Sequence, residues 1–323
     1  MVHLSYENII SIENLFQAWN EFKKGKRNKK DIQVFEKNLE DNLFDLHTRL
    51  RRKTYSHGLY QDFYVNDPKR RHIHKARVSD RVVHHLLYKY LYETFDKTFI
   101  FDSYSCRVGK GTHRGVRRLS VFARKVSKNY TGNCWALKCD IKKFFASVNH
   151  EILLNLLLKR IEDRDILGLL TNIIRSFNSD CGQRKGIPLG NLTSQIFANI
   201  YLDRLDQFVK HELKIKFYLR YADDFIFVST NKNIFLEFIN PIRKFLLKEL
   251  KLELHPDKII LRKLDWGIDF LGYIVLPHYI LPRTKTKRRV FRKINDQNVQ
   301  SYLGYLKHAN SYKLRSELMI KLF

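Results

Sequence analysis

Phe217-Tyr218-Leu219-Arg220-Tyr221-Ala222-Asp223-Asp224-Phe225-Ile226-Phe227-Val228-Ser229 is the stretch on which the reading of this chain turns. Two apolar runs of strand length flank a short polar break, so 216–221 and 225–229 are expected to form an antiparallel hairpin. Hairpin turns are commonly made of Asn-Gly or Asp-Gly, whereas two adjacent carboxylates repel one another. Asp is an ordinary turn former, which accounts for one of the pair and poorly for both. A third carboxylate stands in Trp135-Ala136-Leu137-Lys138-Cys139-Asp140-Ile141, an apolar strand over 135–141 with a charged end. Paired beside the hairpin, that strand would bring Asp140 and Asp223 to one edge of a sheet, with Asp224 adjacent. Three such carboxylates are tolerable when divalent cations lie among them. Two hard Mg2+ ions about 3.5–4 Å apart, with Mn2+ as a substitute, would activate an attacking hydroxyl and stabilise a phosphoryl leaving group.

Composition narrows the partner. The chain has 323 residues, 44% of them hydrophobic, enough for two or three subdomains around a sizeable core. Its 60 Lys and Arg against 33 Asp and Glu give a formal charge of +27, spread along the whole sequence. That surplus predicts a polyanion, nucleic acid before an anionic membrane. No membrane span and no secretory signal over 1–20 are expected, since Ile9, Ile12, Leu15, Phe16 and Trp19 have the spacing of a packed helix. Cys106, Cys134, Cys139 and Cys181 form no CxxC and have no His at finger spacing, so reduced thiols in a cytoplasmic protein are expected. His72 and His74 sit in Lys69-Arg70-Arg71-His72-Ile73-His74-Lys75, too cationic for a metal pair. With 13 Gly, 6 Pro, no low-complexity linker and no repeat, the units should be contiguous in space.

Apolar spacing predicts helices over 8–22, 31–52, 80–95, 151–158, 193–210 and 233–250. In the second, Val34, Phe35, Leu39, Leu43, Leu46 and Leu50 would face inward; in the third, Val82, Val83, Leu86, Leu87 and Leu91. A second hairpin is expected from 269–275 and 279–281. Helices on antiparallel strands make this an α+β fold.

Tyr221-Ala222-Asp223-Asp224 resembles the Y-x-D-D signature of reverse transcriptases, and other blocks follow in that family's order. The Asp140 strand resembles the first catalytic block. Gly186-Ile187-Pro188-Leu189-Gly190-Asn191-Leu192-Thr193-Ser194-Gln195 resembles the block lying against the templating pair. Leu252-Glu253-Leu254-His255-Pro256-Asp257-Lys258 resembles the lysine-bearing loop, and Phe270-Leu271-Gly272-Tyr273 the primer grip. Arg77-Val78-Ser79-Asp80-Arg81-Val82-Val83 resembles the fingers of the prokaryotic, group II intron-like branch. The resemblance spans about 55–290 and implies a right-hand polymerase fold. Residues 1–130 would be N-terminal helices and fingers, 131–276 the palm with part of the fingers interleaved at about 160–190, and 277–323 a short helical thumb.

Most of the family has Gln-Gly and Ser-Pro where this chain has Leu189-Gly190 and Ser194-Gln195. That variant, with Ser103-Tyr104-Ser105-Cys106-Arg107 and Lys110-Gly111-Thr112-His113, resembles reverse transcriptases of diversity-generating retroelements. The resemblance implies copying of a template-repeat RNA from a DNA or RNA primer, with deoxynucleoside triphosphates, errors opposite adenine and a small basic accessory variability protein. Retron, antiviral-defence and group II intron enzymes are the neighbouring alternatives. A non-catalytic RNA-binding protein and an RNA-dependent RNA polymerase are the more distant ones.

The resemblance also distributes roles. Asp140, Asp223, Asp224 and the backbone carbonyl of Ile141 would hold the metals, and Lys258 would protonate pyrophosphate. Arg71 and Arg81 would bind triphosphate, a task the guanidinium fork suits. Phe145 takes the position of the steric gate against a ribose 2′-hydroxyl, with core packing beside Phe144 as its ordinary alternative. Leu189, Gly190 and Gln195 would lie near the nascent pair. Lys285, Lys287, Arg288, Arg289 and Arg292 would grip duplex phosphates from a thumb whose buried side includes Val290, Ile294, Val299, Tyr302 and Leu303. No maturase, zinc-finger or RNase H segment is expected after it.

Overall fold

A computed structural model describes residues 5–66, 70–180 and 182–320; Lys69 and Cys181 lie outside the described residues. The chain forms two compact units that alternate along the sequence. The first comprises Met1–Phe99, Lys142–Arg204 and Leu246–Leu252, the second Ile100–Ile141, Leu205–Phe245 and Glu253–Phe323.

The first unit is mostly helical. The helix expected over 8–22 is two, Tyr6–Ile9 and Ile12–Phe22, because Ser11 caps the second by accepting from the Asn14 N–H at 3.3 Å. The helix expected over 31–52 breaks at Asn38 into Lys30–Lys37 and Leu39–Arg51. Leu43, Leu46 and Leu50 are buried as expected, but the break shifts the helical phase before them. Val34, by contrast, is 65% exposed, and Ile32 takes the inward position. Val78–Phe95 buries Val82, Val83, Leu86, Leu87 and Leu91. Strands β1 (Gln61–Val65) and β2 (Arg71–Lys75) pair antiparallel, with Tyr64 opposite His72. Helices His150–Leu158 and Arg164–Arg175 follow, the second capped by Asp163.

The second unit is built on a four-stranded antiparallel sheet. Its strands are β3 (Trp135–Asp140), β4 (Tyr218–Tyr221), β5 (Asp224–Ser229) and β6 (Ile260–Lys263), in the order β4-β5-β3-β6. Helix Thr112–Val126 covers one face, where Val116, Leu119, Phe122 and Ala123 meet Ala136, Leu219, Ile226 and Val228. Tyr218, Phe225 and Phe227 form an aromatic cluster through the alternate strand positions. Both faces are therefore buried, which is why Phe225-Ile226-Phe227-Val228 reads as a continuous apolar run and not as an alternation.

The apolar spacing predicts one hairpin strand over 269–275; the segment forms two strands, and the sheet has three. Strands β7 (Ile268–Phe270), β8 (Tyr273–Val275) and β9 (Ile280–Pro282) form a meander. Leu271 and Gly272, at φ +49° and +91°, make the tight turn that divides the run. Helices Thr284–Lys293, Val299–Leu306 and Tyr312–Ile320 then close around Val290, Leu306 and Leu318, with Ile294 and Tyr302 packed against them. Among the described residues no helix is long and apolar enough to cross a membrane.

Candidate active site

The pairing of β3 with β5 sets the site. It is antiparallel and in a register that places Asp140 directly opposite Asp224. Residues opposite one another on a sheet share a face, so the two carboxylates are neighbours. Asp223 belongs to the two-residue turn between β4 and β5, after Ala222, which sits at φ +53°. The left-handed region costs a non-glycine residue roughly 1–2 kcal/mol, and such strain gathers at functional sites. The register thus brings Asp140 and Asp224 together within one unit, with Asp223 next to them in the turn.

The three carboxylates are not equivalent. Burial, then the charges of Asp140 and Asp224, push the Asp223 carboxyl up to about 6. Burial also raises Asp224; Lys138 opposes that shift, and Asp140 adds to it through its charge and a hydrogen bond. Two ammonium groups stand against the cluster. Lys258 Nζ donates to Asp140 Oδ1 at 2.8 Å, and Lys138 Nζ lies 3.5 Å from Asp224 Oδ1. The loop carrying Lys258 is fixed by the His255 N–H, which donates to the Asp140 carbonyl at 2.8 Å, and by a bridge between Ile141 and Leu254. Ile141 itself is buried.

A metal fits this chemistry. Among the described residues no three His, Cys, Asp or Glu side chains are already drawn together into a cage. The donors at the sheet end are nevertheless all carboxylate oxygens, the ligand type of hard divalent cations, and their mutual repulsion leaves room for further positive charge. Asp140, Asp223 and Asp224 would hold such ions.

The model of the reverse transcriptase (RNA-dependent DNA polymerase) family matches residues 66–275, and the carboxylate cluster falls inside that span. This chain belongs to the reverse transcriptase family. It is 26% identical over 227 residues to the COX1/OXI3 intron 2 protein of Saccharomyces cerevisiae, covering 51% of this chain and 26% of that protein. It is 25% identical over 156 residues to the group II intron-encoded protein LtrA of Lactococcus lactis subsp. cremoris, covering 47% of this chain and 25% of LtrA. The chain thus spans about a quarter of the length of these relatives. Among solved structures, a telomerase from Candida albicans in complex with a fragment of telomeric RNA matches with a TM-score of 0.55. That match has 12% identity over 88% of this chain and 59% of the other. The shared architecture is the right-hand polymerase fold.

The other reverse transcriptase blocks fall in place as follows. In the second unit, Phe270 and Tyr273 of the primer-grip block are buried, and Leu271 and Gly272 form its turn. The Tyr305 hydroxyl donates to the Gly272 carbonyl at 2.5 Å, and Tyr305 stacks on Tyr273. On helix Thr284–Lys293, Lys285, Arg288 and Arg292 are exposed, whereas Lys287 and Arg289 are half-buried.

In the first unit, Arg71 is exposed at the start of β2. Arg81 is engaged with Asp31 in a short salt bridge, and its guanidinium lies 4.9 Å from the centre of the Phe22 ring. Phe145 is half-buried and packs in a T-shaped arrangement with Phe144, and its carbonyl accepts from the Ile187 N–H. The Leu189 carbonyl accepts from the His74 N–H at 2.9 Å, which ties that block to the β1–β2 hairpin. Gly190, at φ +114°, is exposed, and a Cβ there would come within 2.9 Å of Ile73 Cγ2. Gln195 is exposed on helix Leu192–Gln207.

Sequence reasoning missed Lys138 and the fully buried pair of Arg220 and Asp206. Lys138 had a signal: it lies two residues before Asp140 on a strand, and so on the same face.

Proposed function

We propose that this reverse transcriptase is an RNA-directed DNA polymerase that extends a primer on a template RNA. The observation that carries this is the convergence of Asp140, Asp223 and Asp224 at the end of the four-stranded sheet, with one carboxyl raised to about 6. Mg2+ ions held there would supply the electrostatic activation of a primer 3′-hydroxyl and of the leaving pyrophosphate. The chain's own groups do the rest. Asp140 and Asp223 would hold the ions, with the Ile141 carbonyl as a further donor, and Asp224 would contribute charge and orientation. Lys258, which donates to Asp140 in this structure, is the proton source for pyrophosphate. Of the two fingers arginines, Arg71 is the exposed one and the one assigned to triphosphate, because Arg81 is committed to Asp31.

Phe145 excludes the ribose 2′-hydroxyl, so Phe145→Ala should raise ribonucleotide incorporation; unchanged discrimination would overturn that role. The cationic face of helix Thr284–Lys293 holds duplex phosphates. In functional terms 1–130 would supply N-terminal helices and fingers, 131–276 the palm with part of the fingers interleaved at about 160–190, and 277–323 the thumb.

The finer reading is a diversity-generating retroelement enzyme working with a small basic accessory protein and copying a template-repeat RNA with errors at adenine. Leu189-Gly190 and Ser194-Gln195 support it, because Leu189 offers apolar contact where an amide would check geometry by hydrogen bonds. A group II intron-type enzyme is the second reading, favoured by the intron-encoded relatives. DNA-primer extension on a mixed-sequence RNA template, with the products sequenced, separates the two. Errors clustered opposite adenine support the first, and uniform fidelity supports the second. No Mg2+-dependent extension, with or without an accessory protein, would contradict the polymerase itself.

A further inference from the structure

The turn that carries Asp223 rests on a buried ion pair outside the three-carboxylate cluster. Arg220, three residues before Asp223 on β4, is fully buried, as is Asp206. Arg220 donates from Nε to Asp206 Oδ1 and Oδ2 at 2.8 and 3.0 Å, and from Nη2 to Oδ2 at 2.6 Å. The Tyr218 hydroxyl donates to Asp206 Oδ1 at 2.7 Å, which occupies the carboxylate further. Arg220 Nη2 also reaches Ser103 Oγ at 3.2 Å. The main chain at 220 is clamped as well: its N–H donates to the Asp102 carbonyl and its carbonyl accepts from the Tyr104 N–H, both at 2.9 Å. The remaining guanidinium nitrogen, Nη1, donates to the Ala222 carbonyl at 3.1 Å.

A buried ion pair adds little net stability over apolar residues of the same volume, because desolvation offsets the attraction. Stability alone therefore does not explain the pair. Its outward contact does: Ala222 is held at φ +53°, and a charged donor on its carbonyl opposes relaxation of the turn. Asp223 follows directly. We propose that Arg220, anchored by Asp206, is a positioning residue that holds the Ala222–Asp223 peptide, and through it the Asp223 carboxylate, in its working orientation. The claim rests on the polymerase reading above for its kinetic consequence but not for its structural one.

The test is the double variant Arg220→Met/Asp206→Leu, which removes both charges and roughly keeps the volume. It should still fold, melting somewhat below wild type because the buried Tyr218 hydroxyl loses its acceptor, and keep the Kd for primer–template and the KM for deoxynucleotide, while kcat falls on the order of a hundredfold, as expected for a misplaced reacting group. Hydrogen exchange by mass spectrometry should show faster exchange confined to peptides covering residues 221–224. Arg220→Lys keeps the charge opposite Asp206 but cannot also span to Ala222; it should fold, with a kcat loss on the order of tenfold. This variant carries the test if the double variant does not fold. A kcat within threefold of wild type in a folded variant would overturn the proposal, as would exchange that is unchanged at 221–224 or raised throughout the unit. A wild-type chain without polymerase activity would instead contradict the reading above, and the exchange result would still decide the positioning role.

Discussion

Asp206 and Asp223 lie in the same unit on either side of strand β4, and they are treated in opposite ways. Asp206 is fully buried, yet its oxygens receive Arg220 from two nitrogens and the Tyr218 hydroxyl. Asp223 is only half-buried, stands beside two further carboxylates, and is driven up to about 6 by burial and by its neighbours' charges. Where a charge serves the scaffold, the fold supplies its counter-charge from within. At the end of the sheet the fold supplies less than the cluster needs, and the shortfall is what an incoming cation can fill.

The largest effect should come from the unbalanced side. Asp223→Asn should lower the rate of primer extension on the order of 10^4-fold, corresponding to several kcal/mol of lost transition-state stabilisation. Single-turnover incorporation measures this directly, and a loss of tenfold or less would break the comparison. On the balanced side, Arg220→Met alone leaves Asp206 buried without its cation. It should cost about 3–5 kcal/mol of stability in urea unfolding, whereas removing both charges should cost far less.

The pH dependence separates the two regions without any catalysis. The raised Asp223 carboxyl favours the folded state below about pH 4, the usual aspartate range, and that contribution is lost as pH rises through about 6. Without metal, the wild type should therefore lose stability relative to Asp223→Asn between those values. Above neutral pH the variant should be the more stable, by roughly 1–3 kcal/mol, and Mg2+ should narrow the gap. Melting curves across pH, with and without the ion, would show it. The smallest effect lies away from both regions: Gly190→Ala should cost about 1–2 kcal/mol in the same unfolding assay, because of its left-handed backbone, with the Ile73 side chain giving way.

What was legible in the sequence follows the same division. The hairpin of β4 and β5 and the strand ending at Asp140 could be read because each is a short local pattern with carboxylates at its end; their convergence was expected from the mutual repulsion of those carboxylates, which calls for a shared cation. The split of 31–52 at Asn38 was hidden because the apolar spacing continues across it, and only the phase change exposes Val34. The turn at Leu271 and Gly272 was hidden because Leu at positive φ has no local signature. Asp206 was invisible as a partner of Arg220, since nothing in local periodicity links a helix residue to a strand residue fourteen positions later. Pairing by tertiary contact leaves no mark on a single sequence, whereas a cluster of unpaired like charges does.

The central claim, that the Asp140, Asp223 and Asp224 cluster is left under-balanced in order to take up catalytic cations, is met most directly by a Mn2+ titration. Free Mn2+ would be followed by electron paramagnetic resonance, at a pH above the Asp223 titration, in wild type and Asp223→Asn. Uptake of about two ions per wild-type chain, with at least one lost in the variant, is the expected result. Superimposable isotherms for the two proteins would contradict the account.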